Sequence, residues 1–170
     1  MLIRHAVDSD ANALQRFTNE LMGEHLPVLF RRGSPPTVEE ARAFIQHGGS
    51  SVRNVLFIAD VEKEIVGLVE FHGDLRPQLS HVGSLGISVA SSWRGLGVGS
   101  RLISRLLGWA PAAGIHRVEL EVFANNPRAI LFYQRRGFER EGRKTGAVEV
   151  DGQYIDMITM ANVLARQCHA

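Results

Sequence analysis

The residues of this chain best suited to chemistry fall in two short stretches. In the first, Arg94-Gly95-Leu96-Gly97-Val98-Gly99-Ser100, three glycines alternate just before an apolar helical pattern at Leu102, Ile103, Leu106 and Leu107. Glycine takes positive φ and lets a ligand approach the backbone closely. The first turn of the helix that follows offers free N–H groups and the positive end of its dipole. Such a loop is an anion site, and a pyrophosphate suits it. The sixth position of a dinucleotide fingerprint would be Ser100 rather than Gly or Ala, although Glu119 and Glu121 stand where an acidic ribose ligand could be. No Gly-Lys-Ser/Thr closes the loop as a Walker A motif requires. In the second stretch, Asn126, Ala129 and Tyr133 occupy i, i+3 and i+7, one face of a helix over two turns. A cap asparagine and a tyrosine would line one groove, with a small residue between them. A neutral phenol, ordinary pKa about 10, can donate a proton at neutral pH. Each stretch also has a purely structural reading: a glycine turn for close packing, and a capped amphipathic helix with a partly buried tyrosine.

These stretches need elements to hold them. Residues 81–89 read as a strand, with Leu85, Ile87 and Val89 at period two. Residues 117–123 alternate Val118, Leu120 and Val122 with Glu119 and Glu121, a second strand leading to Asn126. Asn126 caps the helix and Pro127 takes its first position, where a missing N–H costs nothing. Upstream, residues 2–7 predict a first strand. Asp8 or Ser9 predicts the cap of a helix to about His25, and Thr37 with Glu40 forms a capping box for a second helix to about His47. Residues 55–60 and 65–72 predict a hairpin around Glu62-Lys63-Glu64. The helix after the glycine loop runs to about Ala112. From Phe138 two more strands are joined by Asp151-Gly152, a hairpin signal. The order is β, two helices, three strands, helix, strand, helix, two strands: a mixed α/β sheet in a single domain over residues 1–170.

Composition bounds the function. The 170 residues are 45% hydrophobic and 22% charged, ordinary globular values. A net charge of +1 gives no field to recruit nucleic acid or an anionic membrane. No apolar run approaches the roughly 20 residues of a membrane helix. The single cysteine, Cys168, excludes an internal disulfide and fits a reducing compartment, so the expectation is a soluble cytoplasmic protein. The seven histidines show no metal-ligand spacing, and no metal is expected.

Arg94-x-x-Gly97-x-Gly99 after a strand, followed by Asn126-x-x-Ala129-x-x-Phe132-Tyr133 and Gly137-Phe138, resembles the GNAT superfamily of acyl-CoA-dependent N-acetyltransferases over roughly residues 55–161. The resemblance implies a mostly antiparallel sheet, flanked by helices and splayed between its fourth and fifth strands, and acetyl-CoA as the donor. It implies that the amides from about Arg94 to Ser100, hence Gly95, Leu96, Gly97, Val98 and Gly99 between them, hold the pyrophosphate. Backbone groups of Ile87 and Val89 would pair with the pantetheine, Asn126 would hold the cofactor or a water, and Arg128 is a candidate phosphate contact. Tyr133 matches the family's general acid for the leaving thiolate. Glu121 matches a glutamate proposed as base in members that acetylate a ribosomal protein's N-terminal alanine. Glu70, His72 and His81 are alternatives, since the attacking amine must be neutral and something must take its proton. The tetrahedral oxyanion needs a donor such as the N–H of Val89.

By the same resemblance the acceptor is chosen by about residues 24–36 and 142–154, where Arg31, Arg32 or Arg143 could hold a carboxylate. The tail from Val150 to Met160 resembles members acting on small amines, so the expected acceptor is a small amino metabolite. The alternatives are a protein N-terminus, or a non-catalytic acyl-CoA sensor, against which the retained Tyr133 and Asn126 count. The family often pairs into homodimers, which is an expectation here too.

Overall fold

The computed structural model describes residues 1–24, 34–49 and 51–164. Arg31, Arg32 and Cys168, with most of the expected acceptor loop, lie outside the described residues. The strands are β1 (Leu2–His5), β2 (Asn54–Val61), β3 (Glu64–Gly73), β4 (Val82–Val89), β5 (Arg117–Phe123), β6 (Glu139–Val150) and β7 (Gln153–Val163). The helices are α1 (Ala11–Gly23), α2 (Val38–Gly48), α3 (Val98–Trp109) and α4 (Pro127–Gln134). The seven strands form one sheet in the order β1-β2-β3-β4-β5-β7-β6, antiparallel except for β4 and β5. This is the splayed, helix-flanked sheet that the resemblance implied.

Local chemistry explains the elements. Glu62 and Lys63 both take positive φ (51° and 70°), the mirror-image turn whose twist suits the β2–β3 hairpin. Asp151 and Gly152 (50° and 76°) repeat it between β6 and β7. Thr37 accepts from the Glu40 amide at 3.2 Å and the Glu40 carboxylate accepts from the Thr37 amide at 2.9 Å, the expected capping box. The start of α1 differs from expectation. Residues 8–10 make a single tight turn and α1 begins at Ala11. Neither Asp8 nor Ser9 caps α1; the residue before it is Asp10, whose carboxylate accepts from the Val7 amide at 2.8 Å and, on both oxygens, from the Arg4 guanidinium at 2.7 and 2.8 Å.

Two apolar layers sandwich the sheet. On one face α3 buries Val98, Leu102, Ile103 and Leu106 against Val69, Phe71, Val118 and Leu120. On the other, α1 and α2 bury Leu14, Phe17, Ala41 and Ile45 against Leu56, Ile58 and Leu68. Truncating one of these leucine, isoleucine or phenylalanine side chains to alanine costs about 2–5 kcal/mol. At one edge, β6 carries six charged residues and meets β7 with two register irregularities, between Arg140 and Gly142 and between Lys144 and Val148.

The feature that matters for function is where pairing stops. β4 and β5 match at only three positions, Val82 with Arg117, Gly83 with Val118 and Ser84 with Glu119. β4 remains paired to β3 up to Val89, and β5 to β7 along all seven of its residues. The two strands therefore diverge and leave a slot through the sheet.

Arg4 ties the first strand to its surroundings, donating also to Asp60 at 2.7 and 2.9 Å. Its hydrogen bonds hold the Asp10 carboxyl below the ordinary carboxylate value. A depressed folded pKa adds stability above the unfolded value of 3.8, and that stability is lost as the pH falls through the folded one. Arg4→Met should lower stability at neutral pH by about 1–3 kcal/mol and flatten the acid limb of a denaturation-against-pH curve. Parallel acid limbs in the two proteins would contradict this linkage.

Candidate active site

The slot opens into a cleft of about 780 Å³ whose lining includes Glu70, Gly86, Ile87, Glu121, Asn126, Ala129, Tyr133 and Lys144. Strand alternation sorts its groups. Ala90 donates to Val66 O at 3.0 Å and Asp74 to Val82 O at 2.9 Å, so the even-numbered residues of β4 turn their peptide groups to β3. Those of Leu85, Ile87 and Val89 then face β5; the pairing of Ser84 with Glu119 still takes the Leu85 N–H, and from the Leu85 carbonyl onward β5 has departed. An extended ligand can complete this edge. One of these groups is occupied, since Arg94 Nε donates to Val89 O at 2.9 Å.

Side chains follow the same alternation. Val118, Leu120 and Val122 join the α3 layer, which puts Glu119 and Glu121 on the opposite, α1–α2 face. Glu70 pairs with Gly86 on that face too. Tyr133 comes from the other side, packed among the α3-layer residues with its ring 5.8 Å from Phe138 and 5.2 Å from Phe132. The slot thus has carboxylates on one face and a phenol on the other. Among the described residues no group hydrogen-bonds the Tyr133 hydroxyl, which borders the cleft. Burial pushes this phenol up from 10.0 to about 12, because desolvation penalises the phenolate.

Asn126 Oδ1 accepts from Ala129 N at 3.0 Å, so the expected cap exists and only the amide NH₂ is left for another partner. Asn126, Ala129 and Tyr133 all line the cleft, as their helical spacing predicts.

The glycine loop sits at the end of β4. Gly95 and Gly97 have φ of 81° and 84°, left-handed conformations that a side chain would strain. Gly99 has a different use, since a Cβ there would lie 3.1 Å from Phe132 Cζ; it lets α3 approach α4. Among the described residues, no backbone acceptor takes an N–H from Gly95 to Ser100, and no acidic residue lies in the first turn of α3. A Cβ on Gly95 would lie 3.6 Å from Arg128 Nη2, so that guanidinium flanks the loop. The Arg94 amide is committed, donating to Ser91 O at 3.2 Å. Its guanidinium binds Glu24 as well as Val89 O, which joins the end of α1 to the loop.

Other expected groups separate. His81 stands just before the paired end of β4, where its backbone carbonyl accepts from the amides of His116 and Arg117, and it does not line the cleft. Arg143 is bound to Asp156 at 2.6 Å. Three participants carried no signal in the sequence. Arg136 stacks over Phe132 at 3.7 Å and donates to Ser100 Oγ, stitching α4 to the loop. Lys144 pairs with Glu121 across β7, and Arg117 binds Glu119 and Glu141. Each depends on a cross-strand or interhelical meeting, which local spacing cannot show.

The acetyltransferase (GNAT) family model matches residues 16–138. The chain belongs to that family. Over 110 residues it is 34% identical to an L-amino acid N-acetyltransferase, AaaT, of Escherichia coli K12, a match covering 62% of this chain and 66% of that enzyme. The structure of a GNAT-family acetyltransferase from Streptococcus pneumoniae superposes with a TM-score of 0.88 at 30% identity, covering 96% of this chain and 99% of that one. A phosphinothricin acetyltransferase from Sinorhizobium meliloti, solved in complex with AcCoA, shares the fold with a TM-score of 0.85 at 19% identity, covering 99% and 91% of the two chains.

Two outcomes test this geometry. A tyrosinate absorbance titration should show a step near pH 12 that is missing in Tyr133→Phe. Because the folded pKa lies above the unfolded one, stability should also fall between about pH 10 and 12. Gly97→Ala, with open space around its Cβ but φ of 84°, should cost about 1–2 kcal/mol from backbone strain, read as a lower midpoint in denaturant.

Proposed function

We propose that this protein transfers an acetyl group from acetyl-CoA to the amino group of a small amino acid or amino-acid-like metabolite by direct attack. The observation that carries the reading is the slot itself, with outward-turned peptide groups of β4 at its wall and, among the described residues, a bare amide loop at its end and an unpartnered phenol beneath it. The N–H groups from Gly95 to Ser100 would bind the diphosphate, helped by the α3 dipole and by Arg128. The pantetheine arm would lie along Leu85 to Val89 as a short strand, pairing with Ile87 and Val89. This lays the thioester in the slot between the two faces.

The amine would approach from the α1–α2 face, where the carboxylates stand. Glu121, on the β5 wall, is one candidate to take its proton and Glu70, on β3, is the other. The Val89 N–H, turned to the open edge, would stabilise the oxyanion, an interaction worth about 2.7–4 kcal/mol in a preorganised site. The thiolate would leave toward α4, where Tyr133 holds a proton that desolvation keeps in place. Asn126, through its free amide hydrogens, would orient the arm or a water.

The amino-acid preference rests on the likeness to the L-amino acid enzyme, together with the resemblance of residues 150–160 to small-amine members. The decisive measurement is free-thiol release from acetyl-CoA with a panel of L-amino acids, polyamines and peptides bearing an N-terminal alanine. Turnover should be greatest with an L-amino acid. Tyr133→Phe should lower kcat by about 10²–10⁴-fold while CoA affinity stays within a few-fold. Preferential use of the peptides would move the acceptor to a protein N-terminus. Tight CoA binding without thiol release from any amine would leave an acyl-CoA sensor.

A further inference from the structure

Four carboxylates line the cleft, and their partners differ. Glu119 accepts from Arg117 Nε at 2.6 Å, and Glu141 binds the same guanidinium. Glu121 is bound by Lys144 Nζ. Among the described residues, Glu70 meets no arginine or lysine; its Oε2 lies 3.1 Å from His72 Nε2. We propose that Glu70 is the carboxylate that receives the acceptor's ammonium and takes its proton, and that His72 is a positioning residue that fixes its orientation. This assignment rests on the acetyltransferase reading above.

Charge compensation is the first argument. An ammonium binds best to a carboxylate without a resident cation, because capture by Glu121 would first require displacing Lys144. Position is the second. Glu70 stands opposite Gly86 on the strand that forms one wall of the slot. A Cβ at Gly86 would lie 2.7 Å from Glu70 Oε1, so the carboxylate rests over the β4 backbone in space that a side chain would take. The side chain is 16% exposed, shielded from bulk water yet open to the cleft.

His72 supplies the third. Its Nδ1 is buried and has no hydrogen-bond partner among the described residues. A ring proton there would go unaccepted, so the network assigns it to Nε2, donating to Glu70 Oε2. Oε1, the oxygen over Gly86, is left for the acceptor. The other titratable or charged groups facing this pair are His47 of α2, with its ring 5.3 Å from that of His72, and, lining the same cleft beyond the slot, Glu119, Glu121, Glu141 and Lys144.

The proton count closes. The ammonium gives one proton to Glu70, which passes it to solvent after turnover. The freed lone pair forms the C–N bond to the thioester carbon. The C–S bond then breaks with its electron pair on sulfur, which takes the Tyr133 proton. The second proton lost by nitrogen restores the phenol through water. The products are the amide, the free thiol and one released proton.

The test uses the full chain with acetyl-CoA and the best amine found for the wild type. Glu70→Gln keeps the shape and leaves an acceptor for His72. Its kcat should fall about a hundredfold or more, the acid limb of its kcat/KM profile should disappear, and its Kd for CoA should stay within twofold. Glu121→Gln should lose less. Gly86→Ala, whose Cβ would push the Glu70 carboxylate out of its place without altering it chemically, should lower kcat as an independent second variant. His72→Ala should lower kcat and shift the acid limb, and His72→Gln, which restores an N–H donor, should recover part of both. A Glu70→Gln enzyme with wild-type rate and profile, or a larger loss in Glu121→Gln, would overturn the assignment while leaving the acetyltransferase reading intact. A wild-type chain that turns over no amine would overturn both.

Discussion

Everything in this site depends on an interruption of hydrogen bonding. β4 and β5 start as a parallel pair and part after three positions, while each stays fastened to its outer neighbour. An unpaired strand edge inside a sheet is costly unless something satisfies its peptide groups. Here the cost is contained by geometry. The outward-turned groups of Ile87 open on the cleft, and beyond it Arg94 answers the Val89 carbonyl. The sheet is thus built with one strand missing between β4 and β5 beyond their three paired positions.

The same interruption separates two chemical environments. Residue alternation gives β5 an apolar face toward α3 and a carboxylate face toward α1 and α2. Desolvation on the first keeps Tyr133 a phenol, whereas on the second Glu119, Glu121 and Glu70 are hydrogen-bonded to Arg117, Lys144 and His72 respectively. One break in pairing therefore lets a phenol and a set of carboxylates border a single cleft from opposite faces of the sheet.

Much of the fold was legible because its signals are local. The alternation of residues 117–123, the Asn126-Pro127 start of α4, the Thr37–Glu40 capping box and the Asp151-Gly152 turn each encode an element within a few residues. The helical spacing of Asn126, Ala129 and Tyr133 carried directly into the cleft lining. What stayed hidden are meetings between distant segments. Arg4 gathered Asp10 and Asp60, Lys144 paired with Glu121 from two strands away, and Arg136 reached Ser100 from beyond the end of α4. Long flexible cations find partners by tertiary placement, and no spacing rule announces them. The third glycine of the loop is a related case, since only the nearness of Phe132 shows that Gly99 serves packing.

The outer margins of the sheet carry a consequence of their own. β1 offers only four residues at one margin, and β6 at the other is bent by two irregularities and studded with Glu139, Arg140, Glu141, Arg143, Lys144 and Glu149. A short border and a kinked, highly charged one are poor templates for adding a foreign strand. A protein that must keep open strand edge at its centre is in this way protected from fibrous self-association at its rims.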